Sequence, residues 1–271
     1  MKFKDMPYER ISVESIKEEM KALIQKLKEA KDFEEAEALF LENEKLQGHV
    51  FTMCNLALVR HSINTEDKFY DEEQNYWNNA YPQIQEFNQE WTKALLDSPF
   101  KDNFAKKYGN IMFLNAEIDL KTFSPEIIPM MQEENELTTA YEKLLAGAQI
   151  PFEGKIYTIS QMSPFKNDKD DARRLAAWKA EGQWYKDNQA ELDRLYDKLV
   201  HLRDQMGKKL GYTDFTELGY YRMRRNCYDK QDVQKFREAV QKYVVPVAAK
   251  IYERQAERLG KFYPLSYADA A

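Results

Sequence analysis

The sequence predicts an all-α protein of long antiparallel helices with one small β-hairpin near residues 148–160. Three observations predict it. Apolar residues recur at helical spacing over most of the 271 residues. Capping residues stand at the starts of those runs, and Gly or Pro interrupts or ends several of them. One stretch, AQIPFEGKIYTIS, breaks the pattern with two β-like runs joined by Glu153-Gly154, the signature of a tight hairpin. The resulting helix content lies far above the usual third of a globular chain.

The elements follow in order. Ile16, Met20, Leu23, Ile24 and Leu27 form one helical face, with Ser15 and Glu18 at capping-box spacing and Ser12 as an earlier start. Asp32, with Glu35 three residues on, opens a second helix through Ala36, Leu39 and Phe40 to about Ile63, so the pair reads as a helical hairpin. A third helical segment, Asp67 to about Leu96, is expected to kink or break at Pro82. Helix continues from Phe104 to Leu120, with Gly109 as its weak point, and Ser124-Pro125 cap a helix over Glu126 to Ala146.

After the hairpin, Ser163-Pro164 and Asn167 to Asp171 form a connection. One long helix is expected from about Ala172 to Leu210, stopped by Gly211. A short helix follows over Thr213 to Met223, capped by Thr213 or Asp214. A long final helix over Asp229 to Leu259 is disturbed at Pro246. The expected organisation is an N-terminal helical bundle over 1–123, then a hairpin with long helices over 124–271, the boundary being weakly marked.

Composition narrows the function classes. There are 40 basic and 46 acidic residues, interleaved along the chain, so no basic stripe for nucleic acid exists beyond Arg222 to Arg225. Aromatic content of 13% argues against disorder. Cys54 and Cys227 form no paired spacing, which fits a reducing cytosol and no disulfide or thiolate zinc framework. The N-terminus MKFKDMPYER has no apolar signal region, and no run approaches a membrane span. The expectation is a cytoplasmic protein with neither nucleic-acid nor membrane partners.

The three histidines, His49, His61 and His201, include no pair at i, i+4 and no His-Glu-x-x-His, so a lone metal enzyme built from them is disfavoured. Asp168, Asp170 and Asp171 lack the glycine and terminal glutamate of an EF-hand, and suit turn and cap duty instead. No G-x-S-x-G, Walker A or G-x-G-x-x-G occurs. No catalytic or metal-ligating residue is assigned to this chain. The cluster Tyr220, Tyr221, Arg222, Met223, Arg224, Arg225 sets planar cations beside aromatic faces, which suits a concave binding wall.

The block containing that cluster, GYTDFTELGYYRMRRNCYDKQDV over Gly211 to Val233, resembles oligoendopeptidase F and its thimet-oligopeptidase-like relatives. The likeness rests on Gly211-Tyr212, Phe215 to Tyr220, Arg222-Met223, Arg225, Tyr228 and Asp232-Val233. Upstream it continues through Tyr141 to Leu145, Ile150 to Gly154, Tyr157-Thr158 and Leu195 to Arg203. Downstream it takes in Phe236-Arg237, Val244 to Pro246 and Arg258 to Gly260. It is weak before about Phe123 and strong after about Leu137. Cys227 stands where relatives tend to carry Asp, which removes that carboxylate here.

The resemblance implies a zinc peptidase that hydrolyses short peptides, a metal-bound water attacking the peptide carbonyl with a motif glutamate as base. In that family the zinc-binding His-Glu-x-x-His and its partners lie beyond the equivalent of Ala271. This chain is therefore expected to be the N-terminal portion of such an enzyme, to bind no zinc itself and to be inactive alone. It would supply wall residues only: Tyr220, Tyr221, Arg222, Arg225 and Tyr228, lining or bracing a cleft. Expected partners are short peptides and, through exposed apolar surface, the C-terminal catalytic half or another chain. The alternative is a non-catalytic helical module that binds peptides or a protein.

Overall fold

The computed structural model describes residues 2–270. Helix accounts for 76% of the chain and the only strands among the described residues are one antiparallel pair, so the all-α class with a small hairpin holds. The chain divides into two compact units, one of Met1–Glu142 with Tyr196–Asn226 and the other of Lys143–Leu195 with Cys227–Ala271.

In the first unit, α1 (Val13–Glu29) starts at Ser12, whose side chain accepts from Ser15 N, so the earlier serine is the cap. α2 (Phe33–Ile63) starts at Asp32, which accepts from Glu35 N at 2.8 Å. Of the kink or break expected at Pro82, the break does not occur: α3 (Lys68–Leu96) runs as one helix through it. The physical reason lies in the bonds around it. Proline cannot donate to the carbonyl of Asn78, four residues back, and Asn135 Nδ2 donates to that carbonyl instead, at 2.9 Å.

Gly109 does more than weaken its helix. At φ 90° it separates α4 (Lys101–Tyr108) from α5 (Ile111–Asp119), a conformation disfavoured for any residue with a Cβ. Ser124 accepts from Glu126 N and Pro125 opens one 3₁₀ turn before α6 (Ile128–Ala146). The core of this unit is formed by the α1 stripe Ile16, Met20, Leu23 and Ile24 with Ala57 of α2 and Trp77, Ile84 and Trp91 of α3, all buried. N-terminal residues are clamped to the same core: Arg10 forks onto buried Glu73 at 2.5 to 3.1 Å, and Tyr8 hydrogen-bonds both Glu73 and Trp77.

In the second unit, β1 (Ile150–Phe152) pairs with β2 (Lys155–Tyr157), Ile150 opposite Tyr157. Glu153 and Gly154 both have positive φ, 48° and 77°, as a type I′ turn requires. After the single turn α7 (Ser163–Lys166), α8 (Asp171–Asp187) packs on the hairpin through Ile150, Phe152, Met162 and Ala177. The expected unbroken helix from 172 to 210 is divided at Asn188, before α9 (Gln189–Lys209). Asn188 bonds the Trp184 carbonyl with both its backbone N–H and its side-chain amide, at 3.1 and 2.9 Å. Such local side-chain bonding competes with helix continuation.

α10 (Phe215–Arg222) is capped by Asp214, one of the two expected caps. α11 (Lys230–Ala239) opens with a capping box between Asp229 and Asp232. One π-turn, Val240–Val244, then leads into α12 (Val245–Leu259), which carries Pro246 in its first turn and stops at Gly260, φ 64°. The disturbance expected at Pro246 is this π-turn, which re-registers a backbone lacking one donor. A last turn, α13 (Tyr267–Ala270), packs on α8.

Candidate functional site

Of the predicted wall residues, Tyr220, Tyr221 and Arg222 end α10 and Arg225 lies in the turn that closes it. α9 and α10 can approach closely because Gly207 has no side chain: a Cβ there would stand 2.5 Å from the Asp214 carbonyl oxygen. α9 ends in a Schellman motif, Tyr212 N bonding Gly207 O and Gly211 N bonding Lys208 O, with Gly211 at φ 89°. α10 repeats that geometry without glycine. Arg225 N bonds Tyr220 O, Arg224 N bonds Tyr221 O, and Arg224 itself takes φ 50°. A left-handed arginine is strained by about 1–2 kcal/mol. Its guanidinium forks onto Asp119 of α5 at 3.0 and 2.9 Å, which pins the strained turn.

Arg222 and Arg203 converge on the buried Glu134 of α6, Arg222 by a two-point fork and Arg203 Nε at 2.6 Å. Both guanidiniums also lie close to the Phe215 ring centre, at 5.8 and 5.9 Å. Burial pushes the Glu134 carboxyl upward, but the two guanidiniums outweigh it and hold the group below the usual carboxylate range. Tyr220 lies under the Arg225 guanidinium at 4.2 Å. Tyr221 donates to Glu217 and carries Lys121 over its ring at 5.0 Å. Tyr220, Tyr221, Arg222 and Arg225 are thus brought together in the first unit. Tyr228 belongs to the second unit and is exposed.

Beside Arg222 and Arg224 the first unit opens a cavity of about 940 Å³ between α2, α3, α5, α6 and the end of α10. Its volume is at the upper end of the ~300–1,000 Å³ common for ligand pockets. Much of the polar lining is uncharged carboxamide, Asn43 of α2, Gln85 and Asn88 of α3, Asn115 of α5 and Asn135 of α6, beside the charged Glu44, Asp119, Arg222 and Arg224. Phe40, Trp91 and Met112 supply apolar wall between them. None of these carboxamides is among the residues predicted from sequence. Their signal is present in α3, where eight of 29 residues are Asn or Gln. Among them Gln85 and Asn88 stand at i, i+3 spacing, on one face of the helix beside the buried Trp77, Ile84 and Trp91.

The histidines stay apart. His61 is fully buried, 3.2 Å from Asp71, while His49 pairs with Glu9 and His201 with Asp197 on exposed faces. Among the described residues no group of three or more His, Cys, Asp or Glu side chains is placed to hold a metal. These residues do not fit a zinc site. Among the described residues, too, no helix is long and apolar enough to cross a membrane.

Known proteins share this fold. The profile of the Peptidase M3 N-terminal domain matches residues 3–123. A solved structure described as an oligoendopeptidase F from Bacillus anthracis str. Ames matches with a TM-score of 0.96 and 39% identity over 99% of this chain. The chain belongs to the oligoendopeptidase F family. PZ peptidase A, solved with an inhibitor, matches at TM-score 0.96 and 37% identity over 99% of this chain. A further oligoendopeptidase F structure matches at 0.97 and 36% over the whole chain. The present chain spans about half of each, 49%, 48% and 48% of their lengths. Nothing matches among the curated proteins.

Proposed function

We propose that this chain is the N-terminal portion of a cytoplasmic, zinc-dependent oligopeptidase that hydrolyses short peptides, the zinc-binding motif lying in a further half. The observation that carries the proposal is the likeness to oligoendopeptidase F structures along essentially the whole chain, at a level of identity that exceeds mere likeness of fold. Within it, residues 124–271 supply wall residues. Tyr220, Tyr221, Arg222 and Arg225 of the first unit, and Tyr228 of the second, are assigned to substrate contact. Guanidiniums meet carbonyls and carboxylates, and tyrosines stack or hydrogen-bond.

The second unit also supports a further protein partner. Phe236, Val244, Val247 and Ile251 follow one helical stripe over α11, the π-turn and α12, and each is more than half exposed. We assign this stripe to contact with the catalytic half.

The test is a chimaera in which this chain replaces the corresponding stretch of the Bacillus anthracis protein. It should cleave a quenched-fluorescent oligopeptide, and a zinc chelator should abolish the cleavage. This chain alone should not cleave that peptide. A soluble, monodisperse, zinc-loaded chimaera without activity would sink the proposal.

A further inference from the structure

We infer that the carboxamide-lined cavity of the first unit is a peptide main-chain clamp, a binding site for a short extended stretch of oligopeptide that works without the catalytic half. The inference rests on the proposed peptidase function for its choice of ligand, and on the cavity itself for everything else.

Four helices meet around this space, and α1 shows how such meeting faces are ordinarily filled, with Ile, Leu and Met. Here each of the four helices presents a carboxamide instead, and the space stays open at about 940 Å³. A carboxamide carries one acceptor and two donors and no charge, so it matches the peptide group, which offers one N–H and one C=O. Charged side chains would select for particular substrate side chains, whereas carboxamides grip the backbone whatever the sequence.

Two of the bonds already present hold these groups in position. Gln47 Nε2 donates to Asn88 Oδ1 at 2.8 Å, and Asn226 Nδ2 donates to Asn115 Oδ1 at 2.6 Å. Asn135 is held by its bond to the Asn78 carbonyl that Pro82 leaves unpaired. Asn43 is different. It is only 2% exposed, lines the cavity, and no protein group pairs with its Oδ1. A buried acceptor in that state is destabilising by roughly 1–3 kcal/mol. Asn43 Oδ1 has no surface open to the cavity, so contact with a ligand falls to the partly exposed carboxamides such as Gln85 and Asn88.

The walls fit the same ligand. Phe40, Trp91 and Met112 offer apolar and thioether surface suited to peptide side chains projecting to either side of a held backbone. The ionic lining is Glu44 of α2 together with Asp119, Arg222 and Arg224, and of these Arg224 is already matched by Asp119 and Arg222 by Glu134.

The experiment titrates the 271-residue chain with fluorescein-labelled, C-terminally amidated tetra-alanine, read by fluorescence polarisation, beside the same peptide N-methylated at every internal amide. The unmethylated peptide should bind and the methylated one should lose about tenfold or more in affinity. Asn88→Ala and Gln85→Ala, on the partly exposed face of α3, should each lose about tenfold. Asn43→Leu should show a Tm no lower than the parent because an unpaired acceptor has gone. Equal binding of both peptides, retention of affinity in the folded α3 variants, or no binding by the parent chain each overturns the clamp. Zinc-dependent cleavage by the chimaera is scored separately. An active chimaera with no clamp sinks this inference alone, and a binding chain with an inactive chimaera sinks only the peptidase assignment.

Discussion

α1 and α11 are both well-capped amphipathic helices, and they end in opposite situations. α1 buries Val13, Ile16, Met20, Leu23, Ile24 and Leu27, while α11 buries nothing and the stripe continuing from it through α12 stays in solvent. The patterns are alike because periodicity encodes a demand for a partner, not the partner itself. α1 finds its partner in α3. For α11 none of the described residues buries its stripe. The contrast teaches that an apolar face can be fully specified by sequence while its fate depends on what else is present.

Substitutions can break or sharpen that contrast. The largest expected effect is Ile16→Ala, which removes a fully buried side chain and should lower unfolding free energy by about 3–4 kcal/mol. Ile251→Ser on the exposed stripe should change it by less than ~0.5 kcal/mol while reducing self-association in analytical ultracentrifugation. If Ile251→Ser destabilises the chain as much as Ile16→Ala does, the stripe is covered and the contrast is wrong.

Next comes Glu134→Gln, the polar counterpart of burial in the first unit. It leaves Arg203 and Arg222 without their carboxylate and should be destabilising by about 3 kcal/mol at pH 7, the low end for a buried pair because both arginines are partly exposed. The folded-state carboxyl is held low, so its contribution is complete above the unfolded value of ~4.3 and fades as pH falls through the lowered folded value. Urea midpoints from pH 7 downward should therefore fall less steeply in Glu134→Gln than in the parent below pH ~4.3. Parallel curves would remove Glu134 from the account.

Smaller effects test the helix ends. Asp229→Ala deletes the capping box of α11, a helix with no buried face to hold it, and should weaken amide-exchange protection there by about 1 kcal/mol. Arg224→Gly relieves a left-handed arginine but loses its exposed fork to Asp119. Since the strain of ~1–2 kcal/mol exceeds an exposed pair of ~0–1 kcal/mol, a slight gain of about 0.5 kcal/mol is expected in thermal melts.

Local signals are legible throughout. Asp32, Ser124 and Asp214 cap where their spacing places them, and Glu153-Gly154 turns the hairpin. The family is legible too, because the Gly211 to Val233 block and the helix leading into it fix backbone geometry: Gly207 allows a close approach and Gly211 a left-handed turn. Local rules leave open whether Pro82 breaks its helix, and it does not. A proline orphans the carbonyl four residues back, and here the substitute donor, Asn135, lies 57 residues away in sequence. Asn188 errs the other way, since its side chain stops a helix that periodicity alone would continue.

The sequence by itself therefore determined the helices, their caps, the hairpin and the lineage, because each depends on neighbours a few residues apart. Tertiary structure alone decided which polar groups face one another. Glu134 meets Arg203 and Arg222 across 69 and 88 residues, and carboxamides from four helices surround one cavity. Those encounters depend on how helices cross, and helix packing brings residues together without leaving any spacing in the chain to announce it.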